Sequence, residues 1–150
     1  MAWSSPSTVI TGDLITAAVW NQNVVANTIA LLPVALEFFI DGGDAVIQTG
    51  WKGVLESPFK GDIDRCTLLL DQAATLSLDI WRDTYANYPP TNADTITGAN
   101  EPATAAADKD QDSTLTAWTT AFAAGDIFGW NVDANDAATW CLASLKCSRS

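Results

Sequence analysis

Hydrophobic and polar residues alternate along much of the chain, and the alternation is clearest between Ile63 and Trp81. Apolar residues occupy every second position in two runs, separated by the polar break Asp71–Ala74. A period of two is typical of a strand with one buried face, and a four-residue break suits a hairpin loop. The pattern predicts the central hairpin of an antiparallel β domain. Its inward residues are Cys66, Leu68, Leu70, Leu76, Leu78 and Ile80.

Further strands are predicted on both sides of this stretch, separated by polar turns. They are Val34–Ile40, Ala45–Gln48, Trp51–Leu55, Ser113–Trp118, Ile127–Val132 and Thr139–Cys147. Their expected core side chains are Phe38, Ile40, Val46, Val54, Phe59, Phe128, Trp130, Val132, Cys141, Ala143, Leu145 and Cys147. The connection Arg82–Ala117 is irregular, with a helical turn expected at Ala103–Lys109. The spacing favours an antiparallel β-sandwich, jelly-roll-like, over a buried hairpin in an α+β fold.

One α-helix is predicted over Thr16–Leu32, with Thr16 as its N-cap and Pro33 ending it. The segment between Ala17 and Leu32 carries no charge, so a solvated outer face is not expected. Apolar residues follow a heptad spacing, and Trp3 in the preceding arm is expected to dock. The helix packs on its own domain or pairs with another chain; the residues that would attach it are Trp3, Trp20, Val24, Asn27 and Leu31. We therefore divide the chain into an attachment segment, residues 1–33, and a β-sandwich domain, residues 34–150.

The composition restricts the possible chemistry. The formal net charge is −11, from 18 acidic and 7 basic residues, and such a surface repels nucleic acids and anionic membranes. The chain contains no histidine, which excludes serine triads, Cys–His dyads and histidine-ligated zinc. We expect no cofactor and no enzymatic activity.

Three cysteines, Cys66, Cys141 and Cys147, form no CxxC motif. The odd number argues against a disulfide framework or a zinc site, so we interpret them as small buried hydrophobes in a protein assembled in a reducing cytoplasm. No signal peptide is expected. The longest apolar run is interrupted by Pro33 and Glu37 and is too short to span a bilayer.

Carboxylates at alternate positions, Asp108, Asp110 and Asp112, resemble the start of a calcium-binding loop. Ser113 and Thr119 stand where the EF-hand pattern requires glycine and glutamate. We therefore predict a solvated acidic loop and no metal site, with these three residues as weak candidate ligands.

Aromatic residues are the stronger indication of a functional surface. Trp81 faces away from the predicted core and is followed by Tyr85 and Tyr88, and Trp140 also faces outward. Aromatic side chains anchor protein interfaces and stack on sugars. Two interpretations stay open: the four side chains are covered by the loop or a neighbouring subunit, or they contact a host-surface glycan.

Several motifs between residues 38 and 147 resemble a domain that recurs in tailed-bacteriophage virion structural proteins, including tail, fibre and decoration-type proteins. The motifs are Asp41-Gly42-Gly43, Gly53–Glu56, Leu69–Gln72, Asp79–Tyr85, Pro89-Pro90-Thr91, Ala124-Gly125-Asp126 and Asn131-Val132-Asp133. The leader LITAAVWNQNVVANTIALL is similar to segments that open many phage tail-associated proteins. The chain departs from the family pattern at Asp44, Cys66 and Cys147, where small or aliphatic residues are more usual.

The resemblance implies a non-enzymatic virion component assembled in the host cytoplasm. It would form a symmetric oligomer, a trimer, with itself and other virion proteins as partners. Residues 1–33 would attach it, and the sandwich would project outward. The alternative function is a carbohydrate-binding module that recognises a host receptor.

Overall fold

The computed structural model describes residues 16–20 and 34–150. Within them the chain forms a four-residue helix, eight strands and two single-turn 3₁₀ helices, at Tyr85–Asn87 and Asn92–Asp94. The helix and strands are α1 Ala17–Trp20, β1 Val34–Asp41, β2 Gly50–Glu56, β3 Gly61–Ala74, β4 Leu76–Thr84, β5 Ala107–Asp112, β6 Ala121–Phe122, β7 Asp126–Asn135 and β8 Trp140–Arg149.

The strands form two antiparallel sheets, which confirms the prediction of a mostly β domain. The five-stranded sheet has the order β1-β8-β3-β5, with β6 also pairing with β3, and the three-stranded sheet has the order β2-β7-β4. Segment 95–104 runs along the remaining edge of β4. There Ile96 N donates to Ile80 O at 2.9 Å and Thr104 N donates to Leu76 O at 2.8 Å, so this segment takes the position of a fourth strand.

One hydrophobic core lies between the two sheets and draws on both. Phe38 of β1 stacks on Trp130 of β7 with ring centroids 5.4 Å apart. Phe122 of β6 meets Phe128 of β7 edge to face at 5.5 Å. The predicted inward faces of β7 and β8 are confirmed, since all seven of their side chains are buried: Phe128, Trp130, Val132, Cys141, Ala143, Leu145 and Cys147.

The predicted central hairpin is wrong. β3 and β4 lie in different sheets and are joined by Thr75 alone. β3 pairs with β8, β5 and β6, and β4 pairs with β7. The inward faces were nevertheless predicted correctly. The alternating side chains of β3 and β4 are buried, and they enter the same core from its two opposite sheets. Periodicity identifies the face that a strand buries, but it does not identify the neighbouring strand.

The polar residues assigned to the hairpin turn remain in β3 because they bind the β7–β8 connection. Both carboxylate oxygens of Asp71 accept hydrogen bonds from Thr139, from its backbone N at 2.9 Å and from its hydroxyl at 2.8 Å. Gln72 Nε2 donates to Ala137 O at 2.6 Å. These contacts span more than 60 residues of sequence, and they hold the end of β3 extended.

The strand predicted at Ala45–Gln48 is also wrong. The segment is the crossing between β1 and β2, in which Ile47 is buried and Ile47 N donates to Ala138 O at 2.9 Å. Val46 and Val54, predicted to be core residues, are 37% and 38% exposed. Phe38 and Phe59 are partly buried against the core, and Ile40 is buried as expected.

Two assignments in the long connection need correction. Ala103–Lys109 is not a helical turn, because it leads into β5 along the edge of β3. Ser113–Trp118 forms turns, and Leu115 and Ala117 have positive φ angles of 46° and 65°. A continuous strand through those two residues would need negative φ.

The described part of the predicted N-terminal helix is α1, within which Trp20 N donates to Thr16 O at 3.0 Å. The remainder of Thr16–Leu32 lies outside the described residues, as do the candidate attachment residues Trp3, Val24, Asn27 and Leu31. Trp20 is 52% exposed. Among the described residues, no helix has the length and apolar character needed to cross a membrane.

Adjacent leucines on β3 test this arrangement directly. Leu68 is fully buried and Leu69 is 40% exposed. We expect Leu68→Ala to lower the free energy of unfolding by about 2–5 kcal/mol because it leaves a cavity. Leu69→Ala should cost less than about 1 kcal/mol. Urea denaturation of both variants measures the difference, and similar losses would contradict the assignment of faces.

Candidate functional site

The outer face of the five-stranded sheet carries a line of large apolar side chains. Phe39 of β1, Leu142 of β8 and Leu69 of β3 lie side by side in adjacent strands. Trp140 packs on Phe39 with ring centroids 5.7 Å apart. Phe39, Leu69 and Trp140 are 56%, 40% and 36% exposed. We call these four residues the apolar row.

Charged residues stand at both ends of the apolar row. Glu37 and Asp41 flank Phe39 on β1, because residues two apart on a strand share a face. Lys109 of β5 pairs with Leu69 at the other end. On the outer face, the row therefore ends in carboxylates on β1 and in the Lys109 ammonium on β5, where Asp108, Asp110 and Asp112 alternate with Lys109 along the strand.

A shallow cavity of about 410 Å³ lies at the Lys109 end of the apolar row. Its lining consists of Thr67, Leu69, Lys109, Asp110 and Gln111. Gln111 Nε2 donates to the Thr67 hydroxyl at 3.0 Å, which fixes one side of the cavity. The cavity combines an apolar floor with a polar rim.

The outer face of the three-stranded sheet is largely covered by the chain itself. Gly129 of β7 pairs with Trp81 of β4. The ring of Trp51 of β2 packs on Trp81, with ring centroids 5.4 Å apart. A Cβ atom at Gly129 would come within 2.6 Å of the Trp51 ring and 3.1 Å of Pro90. Glycine is therefore required for the tryptophan and the loop to lie on this strand. Ile127, on the same face as Gly129, is also buried.

Asp79 fastens segment 95–104 to this face. The carboxylate is buried and accepts hydrogen bonds from Trp81 Nε1 at 2.6 Å, the Thr95 hydroxyl at 2.6 Å and the Thr97 hydroxyl at 2.7 Å. A buried carboxylate with several donors is well compensated for the loss of water. Trp81, predicted as part of a ligand or interface surface, is thus half-buried and engaged in holding the loop.

The four predicted aromatic surface residues do not form one surface. Tyr85 and Tyr88 are 80% and 55% exposed on the loop beyond β4. Trp81 lies on the outer face of the three-stranded sheet, whereas Trp140 lies on the outer face of the five-stranded sheet. The prediction that the loop covers Trp81 in part is consistent with this arrangement.

Three carboxylates lie close together beside segment 95–104. They belong to Asp79 of β4, to Asp133 of β7 and to Glu101 of the segment itself. Their oxygens lie within 4.8 Å of one another, and among the described residues this is the group close enough to hold a metal ion. Burial raises the pKa of Glu101, and the negative charges of Asp133 and Asp79 raise it further. Burial and the charge of Asp79 also raise the pKa of Asp133.

The weak candidate ligands Asp108, Asp110 and Asp112 lie on strand β5, not in a loop. Asp110 and Asp112 line a cavity of about 550 Å³, together with Ser77 and residues 99–103. One oxygen of Asp112 already accepts from Thr114 N at 2.7 Å. An extended strand spaces these carboxylates along its length, so their alternation does not bring them to one point.

The three cysteines are buried free thiols. Burial raises the pKa of Cys66, Cys141 and Cys147 to about 12. A thiol with so high a pKa stays protonated at neutral pH and is a poor nucleophile or metal ligand. Their interpretation as small hydrophobic core residues agrees with this burial.

The sequence prediction missed Phe39, Leu69 and Trp51 as exposed apolar residues. A signal was available for Phe39 and Leu69, since each occupies the polar phase of its alternating strand: Phe39 lies between inward Phe38 and Ile40, and Leu69 between Leu68 and Leu70.

No protein-family model and no curated protein matches the sequence. Among solved structures, a chain in the structure of the infectious bursal disease virus Gx strain is similar at 12% sequence identity and a TM-score of 0.31. The match covers 79% of this chain and 32% of the viral chain, so the protein spans about a third of the matched chain. A similarity at this level carries no argument about function.

The proximity of the Asp79, Glu101 and Asp133 carboxylates predicts a measurable dependence of stability on pH. Because the pKa of Glu101 is raised in the folded state, its proton stabilises the fold at low pH, and this contribution is lost as the pH rises through the folded-state value. We expect Glu101→Gln to increase the free energy of unfolding at pH 7 and to change it less at low pH. Denaturation of variant and wild type across that range measures the difference.

Glu56→Gln, on the exposed edge strand β2, is the matched control for this experiment. It should shift stability at pH 7 by much less than Glu101→Gln. A Glu101→Gln effect that is independent of pH would show that repulsion within the carboxylate group does not limit stability.

Proposed function

We propose that the protein is a non-enzymatic structural component of a tailed-bacteriophage particle, located in the tail, a fibre or the capsid surface. It assembles in the host cytoplasm as a homo-oligomer, a trimer, and contacts other virion proteins. The N-terminal arm and helix, with Trp3, Trp20, Val24, Asn27 and Leu31, attach it. The proposed role requires no cofactor and no binding to nucleic acid or to a membrane.

The observation that carries the proposal is the order of the strands. Along the chain, β1, β2, β3 and β4 lie alternately in the two sheets, and so do β6, β7 and β8. The five-stranded sheet has the order 1-8-3-5, and the other has the order 2-7-4 followed by segment 95–104. This is the strand order of a jelly roll with one strand replaced by an irregular segment. Jelly rolls are common in viral capsid domains, although they also occur in lectins and cupins.

The chemistry of the described residues is consistent with a structural role. Asp79, the one buried carboxylate of the three-carboxylate group, is occupied by three donors that hold the loop. The thiols are buried, with pKa values of about 12. The formal net charge of −11 disfavours nucleic acids and anionic membranes as partners. Large exposed apolar side chains, including Trp20, favour contacts with other protein chains.

Assembly through the N-terminal segment can be tested in the full-length protein. We expect size-exclusion chromatography with light scattering to give a trimeric mass at low protein concentration. The W20D/V24D/L31D variant should give a monomeric mass under the same conditions, because three carboxylates in the heptad stripe oppose its burial.

Val46→Asp places a carboxylate at an exposed apolar position of the β1–β2 crossing and is the control. It should retain the mass of the wild type. A monomeric mass for the unmodified full-length chain would contradict the proposed assembly.

The second candidate function is recognition of a host-surface carbohydrate. It is favoured by the exposure of Tyr85 and Tyr88, 80% and 55%, on the loop whose Pro90 lies against Gly129. Exposed aromatic rings can stack on the apolar faces of sugars. The ligand would be a glycan of the host surface.

A glycan array measures this second function. We expect a genuine signal to be abolished by Tyr88→Ala and retained by Phe39→Ala, which removes an exposed ring from the other sheet. An array without signal for the wild-type protein would exclude the carbohydrate-binding function.

A further inference from the structure

The exposed apolar row is matched by a cavity at the opposite edge of the same face. Phe39 is the most exposed member of the row, at 56%, and lies on edge strand β1. The 410 Å³ cavity beside Leu69 and Lys109 lies at the β5 edge. The covering of the three-stranded sheet by Pro90 and segment 95–104 has no counterpart on this face among the described residues.

We propose that the outer face of the five-stranded sheet is a two-fold contact surface between two copies of this chain. In this contact, Phe39 of each copy enters the cavity beside Leu69 and Lys109 of the other. The contact is separate from the N-terminal assembly and does not depend on it.

The strand order determines which two-fold axis fits. An axis parallel to the strands, in the plane of the contact, places β1 over β5 of the second copy and β8 over β3. Phe39 then meets the cavity, and Leu142 meets Leu69 of the second copy. The sheet is about 14 Å wide from β1 to β5, three strand spacings of about 4.8 Å. A single placement of the second copy therefore brings Phe39 of each copy to the cavity of the other. Each residue contact occurs twice, as an isologous interface requires.

Charge supports the same axis. Lys109 of the second copy approaches Phe39 between Glu37 and Asp41, and its ammonium can also lie against the aromatic ring. An axis in the contact plane but perpendicular to the strands would instead place Glu37 opposite Asp41 of the second copy. Like charges in direct opposition are costly, so the charge pattern selects the axis that the cavity requires.

Other charges keep the contact weak. Lys146 and Arg65 are paired in the sheet beyond Glu37, and the proposed axis brings Lys146 towards Arg65 of the second copy. Asp110 lines the cavity that Phe39 enters, so its carboxylate opposes those of Glu37 and Asp41. Each copy also carries a formal net charge of −11, which opposes association in general. The expected product is a concentration-dependent dimer with a small interface.

Charge reversal with mixing tests the proposal. Sedimentation velocity is measured over a concentration series for the full-length wild type, Glu37→Lys, Lys109→Glu and an equimolar mixture of the two variants. Each reversal alone should raise the dimer dissociation constant by about tenfold or more, since it places like charges together twice per dimer. The mixture should form heterodimers more tightly than either variant forms homodimers. At one end Glu37 and Lys109 are unchanged, and at the other the introduced lysine faces the introduced glutamate, although Asp41 still opposes that glutamate.

Phe39→Ala and Val54→Ala form a matched pair of apolar truncations in the same measurement. Phe39→Ala should abolish the dimer, and Val54→Ala, at a 38% exposed position on β2 of the other sheet, should leave it unchanged. Circular dichroism and thermal melting verify that every variant is folded. A mixture that associates no more strongly than its components would overturn the proposal. So would a wild type that shows no increase in mass with concentration beyond its mass at the lowest concentration.

The series is repeated in the full-length W20D/V24D/L31D background. There the N-terminal contact is removed, and the same pattern of weakening and restoration should remain. If the wild-type trimer is absent but the mixture restores dimers, the proposed N-terminal assembly fails while the sheet contact stands.

Discussion

The pairing of β3 with β8 is the constraint on which the rest of the domain depends. Its register runs from Gly61 opposite Arg149 to Leu70 opposite Cys141, and it sets the centre of the five-stranded sheet. β1 is added to the outer edge of β8 and β5 to the outer edge of β3. Because Thr75 alone joins β3 to β4, the same pairing also fixes where the second sheet begins. The buried side chains of both sheets can then meet in one core.

The two outer faces of the domain differ in how they are covered. On the three-stranded sheet, the carboxylate of Asp79 binds two threonine hydroxyls of segment 95–104, and Gly129 leaves room for Trp51 and Pro90. On the five-stranded sheet, large apolar side chains remain exposed beside charged residues of both signs. Exposed apolar side chains that adjoin one another favour association more than scattered ones do. This asymmetry is the reason that we propose the contact between copies on the five-stranded sheet.

The sequence predicted the class of the fold and most buried faces, because alternation reports burial directly. Leu68, Leu78, Trp130 and Leu145 were all placed inward correctly. The pairing of strands was not predictable in the same way. The local pattern predicts Asp71 as a turn residue, and only the folded chain brings it to Thr139, 68 residues away. Crossings such as Thr75 are too short to carry a composition signal.

The candidate surfaces were predictable only in part. Tyr85 and Tyr88 stand beside prolines in a polar segment, and the sequence indicated their exposure. Trp81 and Trp140 were both assigned outward, but their separation onto different sheets follows from topology. The position of Lys109 opposite Leu69 depends on the pairing of β3 with β5, which no local pattern reports.

The central position of β8 has a consequence for biosynthesis. β1 and β3 are neighbours of β8 on either side, although their paired residues precede those of β8 by roughly 70 to 110 positions of sequence. Until β8 has been translated, no strand lies between β1 and β3. The edges that will pair with β8 then expose unpaired backbone groups to other nascent chains. The five-stranded sheet can close only after residues 140–149 have emerged from the exit tunnel. Productive folding of this domain is therefore a late, concerted event, and its slow step involves contacts between distant parts of the sequence.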